Sequence, residues 1–168
     1  MASRAISEYR KKRKDTGLSR EAAAEIMNMS DDKLERIENG KQKPTAQDIS
    51  LMAKAYCSPE LCNYYCHNEC EIGEKYVPEV LETNLPSITL QLLDTIYKVN
   101  DLEKILVNVT ADGKIDDDEI EDLVKIQGTL EKLSVTIEAL QLCVEKKMAN
   151  GEINKDKYVK AHKAYING

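Results

Sequence analysis

Leu123, Ile126, Leu130, Leu133, Ile137, Leu140 and Val144 follow one another in alternating steps of three and four residues. Only a helix brings such positions onto a single line, because 3.6 residues per turn lies close to the 3.5-residue repeat. A strand, with its period of two, would scatter them over both faces. Leu85, Ile88, Leu92, Val99, Leu102, Leu106 and Val109 repeat the spacing, with Thr95 at the one polar position. Two long helices, over 87–110 and 116–149, are therefore expected to pack antiparallel as a hairpin, followed by a short last helix over 155–166. Two such helices bury part of each other, and seams of three heptads often leave apolar surface for a second copy as well, so a homodimer is expected.

The remaining composition agrees with an all-α chain. Gly and Pro number only 7 and 4, Trp and Phe are absent, and 32% of residues are charged. The core must then rest on aliphatic side chains and the 8 Tyr. No apolar run approaches the roughly 20 residues that cross a bilayer, which points to a soluble, cytoplasmic protein with no membrane partner. An odd count of 5 Cys argues against a disulfide framework. Charge is unevenly spread: residues 1–56 carry 12 Lys+Arg against 9 Asp+Glu, or +3, and the rest carry 12 against 21, or −9. A basic first third on an acidic remainder fits a polyanion-binding head on a solvated body, although undirected drift of surface charge gives much the same balance.

The head reads as five short helices. The first covers 6–14 with the basic run Arg10 to Lys14 and ends at Gly17. Ser19, Ser30 and Thr45 stand as N-caps before helices over 20–27, 31–38 and 46–56, Gly40 ends the third, and Ser58-Pro59 opens the fifth. Residues 71–86, with Gly73, Pro78 and Pro86, show no helical period and read as an extended linker. The expected division is a head at 1–70, a linker at 71–86 and a helical dimerisation hairpin at 87–168.

Within the head, "SREAAAEIMNMSDDKLERIENG" is arranged as two helices around a tight turn. Ala24 is small where the helices cross, Asn28 tolerates the left-handed conformation of the turn, Met29 plugs the space between them, and Leu34 and Ile37 face inward. Asp31, Asp32, Lys33, Glu35 and Arg36 are left outside. Residues 6–56, and "LERIENGKQKP" above all, resemble the lambda-repressor-like DNA-binding domain of the xenobiotic-response-element type. The rest of the chain, through its "LCNYYC" and "DGKI" blocks, is similar to a group of Firmicutes regulators without a settled function. The resemblance implies a bacterial transcriptional regulator, with Asp31, Asp32, Lys33 and Arg36 at base-reading positions. It places Ser19, Arg20, Asn39, Lys41 and Lys43 against phosphates of double-stranded DNA, with Ser30 at the start of the reading helix. An arginine can pair with guanine and an aspartate can accept from cytosine. The same two aspartates also stabilise the first turn of a helix through its dipole, whether or not DNA is bound.

Other motifs carry less. Cys62, Cys66 and Cys70 recur every four residues, with Cys57 before them, and thiolates at such spacing could hold zinc or an iron–sulfur cluster or respond to redox state. Three ligands in line on one helix make no tetrahedron, and buried free cysteine is the simpler reading; His67 is expected off this stripe at the surface. A calcium-loop alignment over Asn108, Thr110, Asp112 and Glu119 has neutral residues at its first two ligand positions. Helix punctuation explains it better: Gly113 leaves one helix, Ile115 plugs the joint, and Asp116 with Glu119 caps the next. "NGEINKDK" repeats that device with Gly151, Ile153 and Asn154. No nucleophile–base pair, phosphate loop or convergent carboxylates appear, and only His67 and His162 supply imidazole, so no enzyme, no small-molecule substrate and no cofactor are expected. The leading reading is a sequence-specific DNA-binding regulator, repressor-like and dimeric. The alternatives are a protein-interaction adaptor on the same fold and a metal- or thiol-responsive regulator.

Overall fold

The computed structural model describes residues 7–81, 84–109 and 113–167, and among these the chain is helical with no strand. The helices are α1 (Glu8–Asp15), α2 (Arg20–Ile26), α3 (Asp31–Glu38), α4 (Ala46–Ala55), α5 (Glu60–Glu69), α6 (Glu71–Tyr76), α7 (Leu85–Asp101), α8 (Glu103–Val109), α9 (Ile120–Ala149) and α10 (Lys155–Ile166). The all-α expectation holds. No helix among the described residues is long and apolar enough to cross a membrane. Packing divides the chain into two compact units, Met1–Val77 with Val144–Gly168, and Pro78–Cys143. The stretch from Val144 onward falls in the first of these units.

Caps set the boundaries in the head. The side chains of Ser19, Ser30 and Thr45 accept hydrogen bonds from the amides of Ala22, Lys33 and Asp48. Asp48 returns the bond to the Thr45 amide at 3.0 Å, closing a capping box. Each cap satisfies an amide that the helix leaves bare, worth about 1 kcal/mol. Gly17 at φ 74° and Gly40 at φ 65° take the left-handed turns that end α1 and α3.

The core of the head gathers Tyr9, Ala23, Ala24, Met27, Leu34, Ile37, Ile49, Met52, Ala53, Tyr56 and Leu61, with Leu18, Met29, Tyr64 and Tyr65 packed around it. Into this apolar set goes one full ion pair. Arg13 Nε and Nη2 donate to the two carboxylate oxygens of Glu38 at 2.6 and 2.8 Å, and Arg13 Nη1 donates to the Leu18 carbonyl at 2.8 Å. Both side chains are nearly sealed from solvent, 9% and 3% exposed. Arg13 is thus an internal strut, not part of a solvated basic run. Lys12 beside it pairs with Glu60 at 2.5 Å, and Tyr9 donates to Glu69 at 2.7 Å, so α1 is fastened to α3 and α5 by side chains on one face.

The segment read as an extended linker begins instead with a helix, α6. Gly73 is buried in it, and a Cβ there would stand 1.9 Å from the Cys66 carbonyl oxygen. The glycine marks the close approach of α6 to α5, and six residues are too few to show a helical period. His67, expected at the surface, is half-buried, and its Nδ1 donates to the Val77 carbonyl at 2.9 Å.

In the unit Pro78–Cys143, the expected helix over 87–110 is two helices, α7 and α8, broken at Leu102. Asn100 and Asp101 precede the break, and both compete with helical backbone through their own side chains. Burial falls on Ile88, Thr95, Val109, Ile126, Thr136 and Ala139, whereas the seam residues Leu130 and Ile137 stay 47% and 43% exposed. Two threonines and an alanine are sealed in beside the aliphatic side chains. The hydroxyls of Thr95 and Thr136 donate to the carbonyls four residues back, at 2.7 Å each, so their burial leaves no bond unmade. Before α9, Gly113 is left-handed at φ 76° and the Asp116 amide donates to Glu119 at 3.0 Å, as punctuation requires. Ile115 does not plug this joint; it is 54% exposed. Thr110 and Asp112 of the calcium alignment lie outside the described residues.

Breaking the internal ion pair from one side strands a charge. Arg13→Met is expected to cost about 3–5 kcal/mol in urea unfolding, with Arg13→Met/Glu38→Leu recovering most of the loss. An unchanged midpoint in the single variant would contradict the buried pair.

Candidate nucleic-acid interface

Helices α2 and α3 are joined by a turn whose geometry is set by one residue. Asn28 adopts φ 49°, a conformation few residues other than glycine and asparagine enter readily. The Asn28 amide bonds to the Glu25 carbonyl at 3.0 Å and the Met29 amide to the Ala24 carbonyl at 2.9 Å, so the chain leaves α2 and enters α3 within four residues. Ala24 is buried at the crossing, Leu34 and Ile37 are buried beneath α3, and Met29 packs against the core. The outer side of α3 then presents Asp31, Asp32, Lys33, Glu35 and Arg36.

Residues 7–61 match the family model of a helix-turn-helix domain. The head is a helix-turn-helix domain. No curated protein and no solved structure matches the chain.

The helix-turn-helix domain holds its candidate contact residues in a network that pairs charges before any ligand arrives. Arg20 donates through Nε and Nη2 to both carboxylate oxygens of Asp31 at 2.7 Å, and its Nη1 lies 3.6 Å from Glu35. The Arg20 guanidinium holds the Asp31 carboxyl below its ordinary range. Lys33 turns to Asp48 at 2.5 Å. Arg36 Nε donates to Gln42 Oε1 at 3.0 Å, leaving its terminal nitrogens without a bond among the described residues. Asn39 is the C-cap of α3 and donates to Glu35 at 3.4 Å. Ser19 and Ser30 spend their hydroxyl oxygens on caps. Asp32, Lys41 and Lys43 are exposed and form no side-chain ion pair among the described residues.

The ten candidate residues thus lie on one stretch of α2, α3 and the following loop, in three conditions. Arg20, Asp31 and Lys33 are already paired, the serines and Asn39 hold helix ends, and Asp32, Arg36, Lys41 and Lys43 are open to a partner. Sequence reading missed Gln42, which orients Arg36, and Asp48, which captures Lys33. Asp48 lies three residues after the cap Thr45, and that spacing is the one signal that could have marked it as a structural carboxylate.

The cysteines do not converge. Cys57 sits at φ 51° before α5, Cys62 and Cys66 are on it, and Cys70 follows its end in an extended conformation. Among the described residues the only group close enough to share an ion is Asp31, Asp32 and Glu35. Burial raises the thiols of Cys62 and Cys66, disfavouring the thiolate that a metal would bind; Cys62 remains an exposed residue overall.

Two measurements test this geometry. Asn28→Ala should lower stability by about 1 kcal/mol in thermal unfolding and Asn28→Gly should be neutral or better, since only the alanine resists positive φ. Burial works to raise the Asp48 carboxyl, but hydrogen bonds from Lys33 and Thr45 outweigh it and hold the group below its ordinary 3.8. Its contribution to stability is complete above 3.8 and is lost as pH falls through the lower folded value. The melting temperature should therefore drop on acidification, and Asp48→Asn should show a shallower drop from a lower plateau.

Proposed function

We infer that the protein is a sequence-specific DNA-binding transcriptional regulator of the lambda-repressor-like type, repressor-like and acting as a homodimer. The helix-turn-helix match over 7–61, on an exposed α3 whose turn and caps are formed as such a domain needs, carries this reading. In it α3 enters the major groove, with Arg36 on guanine and Asp32 free to accept from cytosine. Lys41 and Lys43, in the loop after α3, and Ser19, Arg20 and Asn39 meet phosphates. Asp31 and Lys33 act chiefly by orienting their neighbours, because their charges are already satisfied.

Few open cations per head means weak binding by one head. Two heads on one pseudo-palindromic site would supply the rest. The exposed Leu130 and Ile137 on α9, together with Leu85 on α7, offer apolar surface for the second copy.

Selection from a pool of random duplexes tests the reading directly. The expected result is an enriched half-site, affinity that falls steeply with salt, and a loss of about tenfold in Arg36→Ala, equivalent to 1.4 kcal/mol. Lys41→Ala should weaken all sequences alike and reduce the salt slope by about one. No enrichment and no retardation at low salt would overturn it in favour of a protein-binding adaptor.

A further inference from the structure

No described residue of helix α10 is buried. Among its described residues every one is exposed, including Tyr158, Val159, Tyr165 at 87% and Ile166 at 66%. Yet its sequence is ordered for contact. Tyr158, His162, Tyr165 and Ile166 recur at steps of four, three and one and share a face, where the Tyr158 ring stacks on His162 at 6.0 Å. Lys157 and Lys163 flank this face on either side, and Lys160 lies behind it. With Lys155 and the single acid Asp156, the helix carries four positive charges against one negative, or +3. None of these lysine side chains makes an ion pair among the described residues. A nucleic-acid backbone would use the lysines and waste the aromatic face. A partner must offer both apolar surface and negative charge.

The chain contains one. Residues 78–143 hold 14 Asp+Glu against 5 Lys, or −9. The negative charge peaks at the start of α9, where Asp116, Asp117, Asp118, Glu119, Glu121 and Asp122 lie within seven residues. Asp122 is engaged by Lys125 at 2.8 Å and Glu119 by the Asp116 amide, but Asp117, Asp118 and Glu121 are unpaired among the described residues. Interleaved with them, Ile115, Ile120 and Val124 are 54%, 49% and 59% exposed. Apolar residues rimmed by acids complement a helix of apolar residues rimmed by lysines.

Chain length decides whose α10 fills this surface. Helix α9 has 30 residues, about 45 Å at 1.5 Å each. The joint over 150–154 spans at most about 17 Å and the 12-residue α10 about 18 Å. An α10 rooted at the end of α9 therefore falls short of that helix's own start. We propose that α10 docks, apolar face inward, on the acidic start of α9 in a second copy, with the contact made twice about a two-fold axis. This rests on the homodimer reading and adds a charged contact to the apolar surface of Leu130, Ile137 and Leu85.

Sedimentation equilibrium on the full chain tests it with two charge-reversed variants, Lys157→Glu/Lys160→Glu/Lys163→Glu and Asp117→Lys/Asp118→Lys/Glu121→Lys. Each alone should raise the dimer Kd about tenfold or more. An equimolar mixture should associate as tightly as the native chain, because both contacts in the mixed dimer regain opposite charges. The mixture also shows that both variants are folded. A native dimer indifferent to both variants overturns the α10 contact and leaves the homodimer standing; a monomeric native chain overturns both. Unchanged self-association with lost binding of the lysine variant to duplex DNA or to anionic vesicles assigns α10 to a polyanion and likewise overturns the proposal.

Discussion

The head depends on a charge that cannot reach water. Arg13 and Glu38 sit among apolar side chains, and removal of either ion from solvent is costly unless every polar atom finds a partner. Here the geometry meets that demand: two parallel bonds join the ions, and the third Arg13 bond goes to the backbone ahead of α2. The consequence is positional. A hydrophobic contact tolerates a slip of an ångström; a forked, desolvated pair does not. The last turn of α3 is thereby registered against α1, and α1 is registered against α5 through Lys12 and Tyr9. The outward face of α3 inherits its angle from bonds made on its inward side.

What the sequence made legible was local. Ser19, Ser30 and Thr45 could be assigned as caps because a cap and its amide lie within three residues. Asn28 and Gly40 could be read because positive φ admits few residue types. Long-range pairing could not be read. Arg13 looked like one cation among five, since nothing near it in sequence names Glu38, 25 residues away, as its partner. Arg20 and Asp31, 11 residues apart, gave the same difficulty and left two facing charges looking like independent contacts. Helix α6 was hidden by its shortness and by a glycine whose meaning lies in Cys66, a residue on another helix. Heptad spacing announced long helices but not the break at Leu102, nor that Thr95, Thr136 and Ala139 would be buried where Leu130 and Ile137 are not.

The charges divide the molecule more sharply than its length does. Residues 78–143 are strongly acidic, whereas the charges on α2 and α3 are largely matched in place. An acidic unit keeps polyanions at a distance by long-range repulsion, which salt screens over about 10 Å at moderate ionic strength. On α2 and α3, where the charges are matched in place, an anion would be held chiefly by short-range contacts in correct geometry. Non-specific attraction is weak by construction, and discrimination between surfaces gains accordingly.

The Arg20–Asp31 fork has a further consequence for any such encounter. The carboxylate already occupies the guanidinium and would compete with any phosphate that approached it. Exchange of one anion for the other leaves the arginine's hydrogen bonds nearly constant in number and releases few counterions from the protein side. The displaced aspartate must then find water or a hydrogen-bond donor on the incoming surface. A surface with such a donor at that spot restores the lost bond; one without it leaves a bare negative charge beside its own phosphates. For any anion that approached Arg20, such a pair would set the threshold from inside the protein, and a single hydrogen-bond donor would decide the exchange.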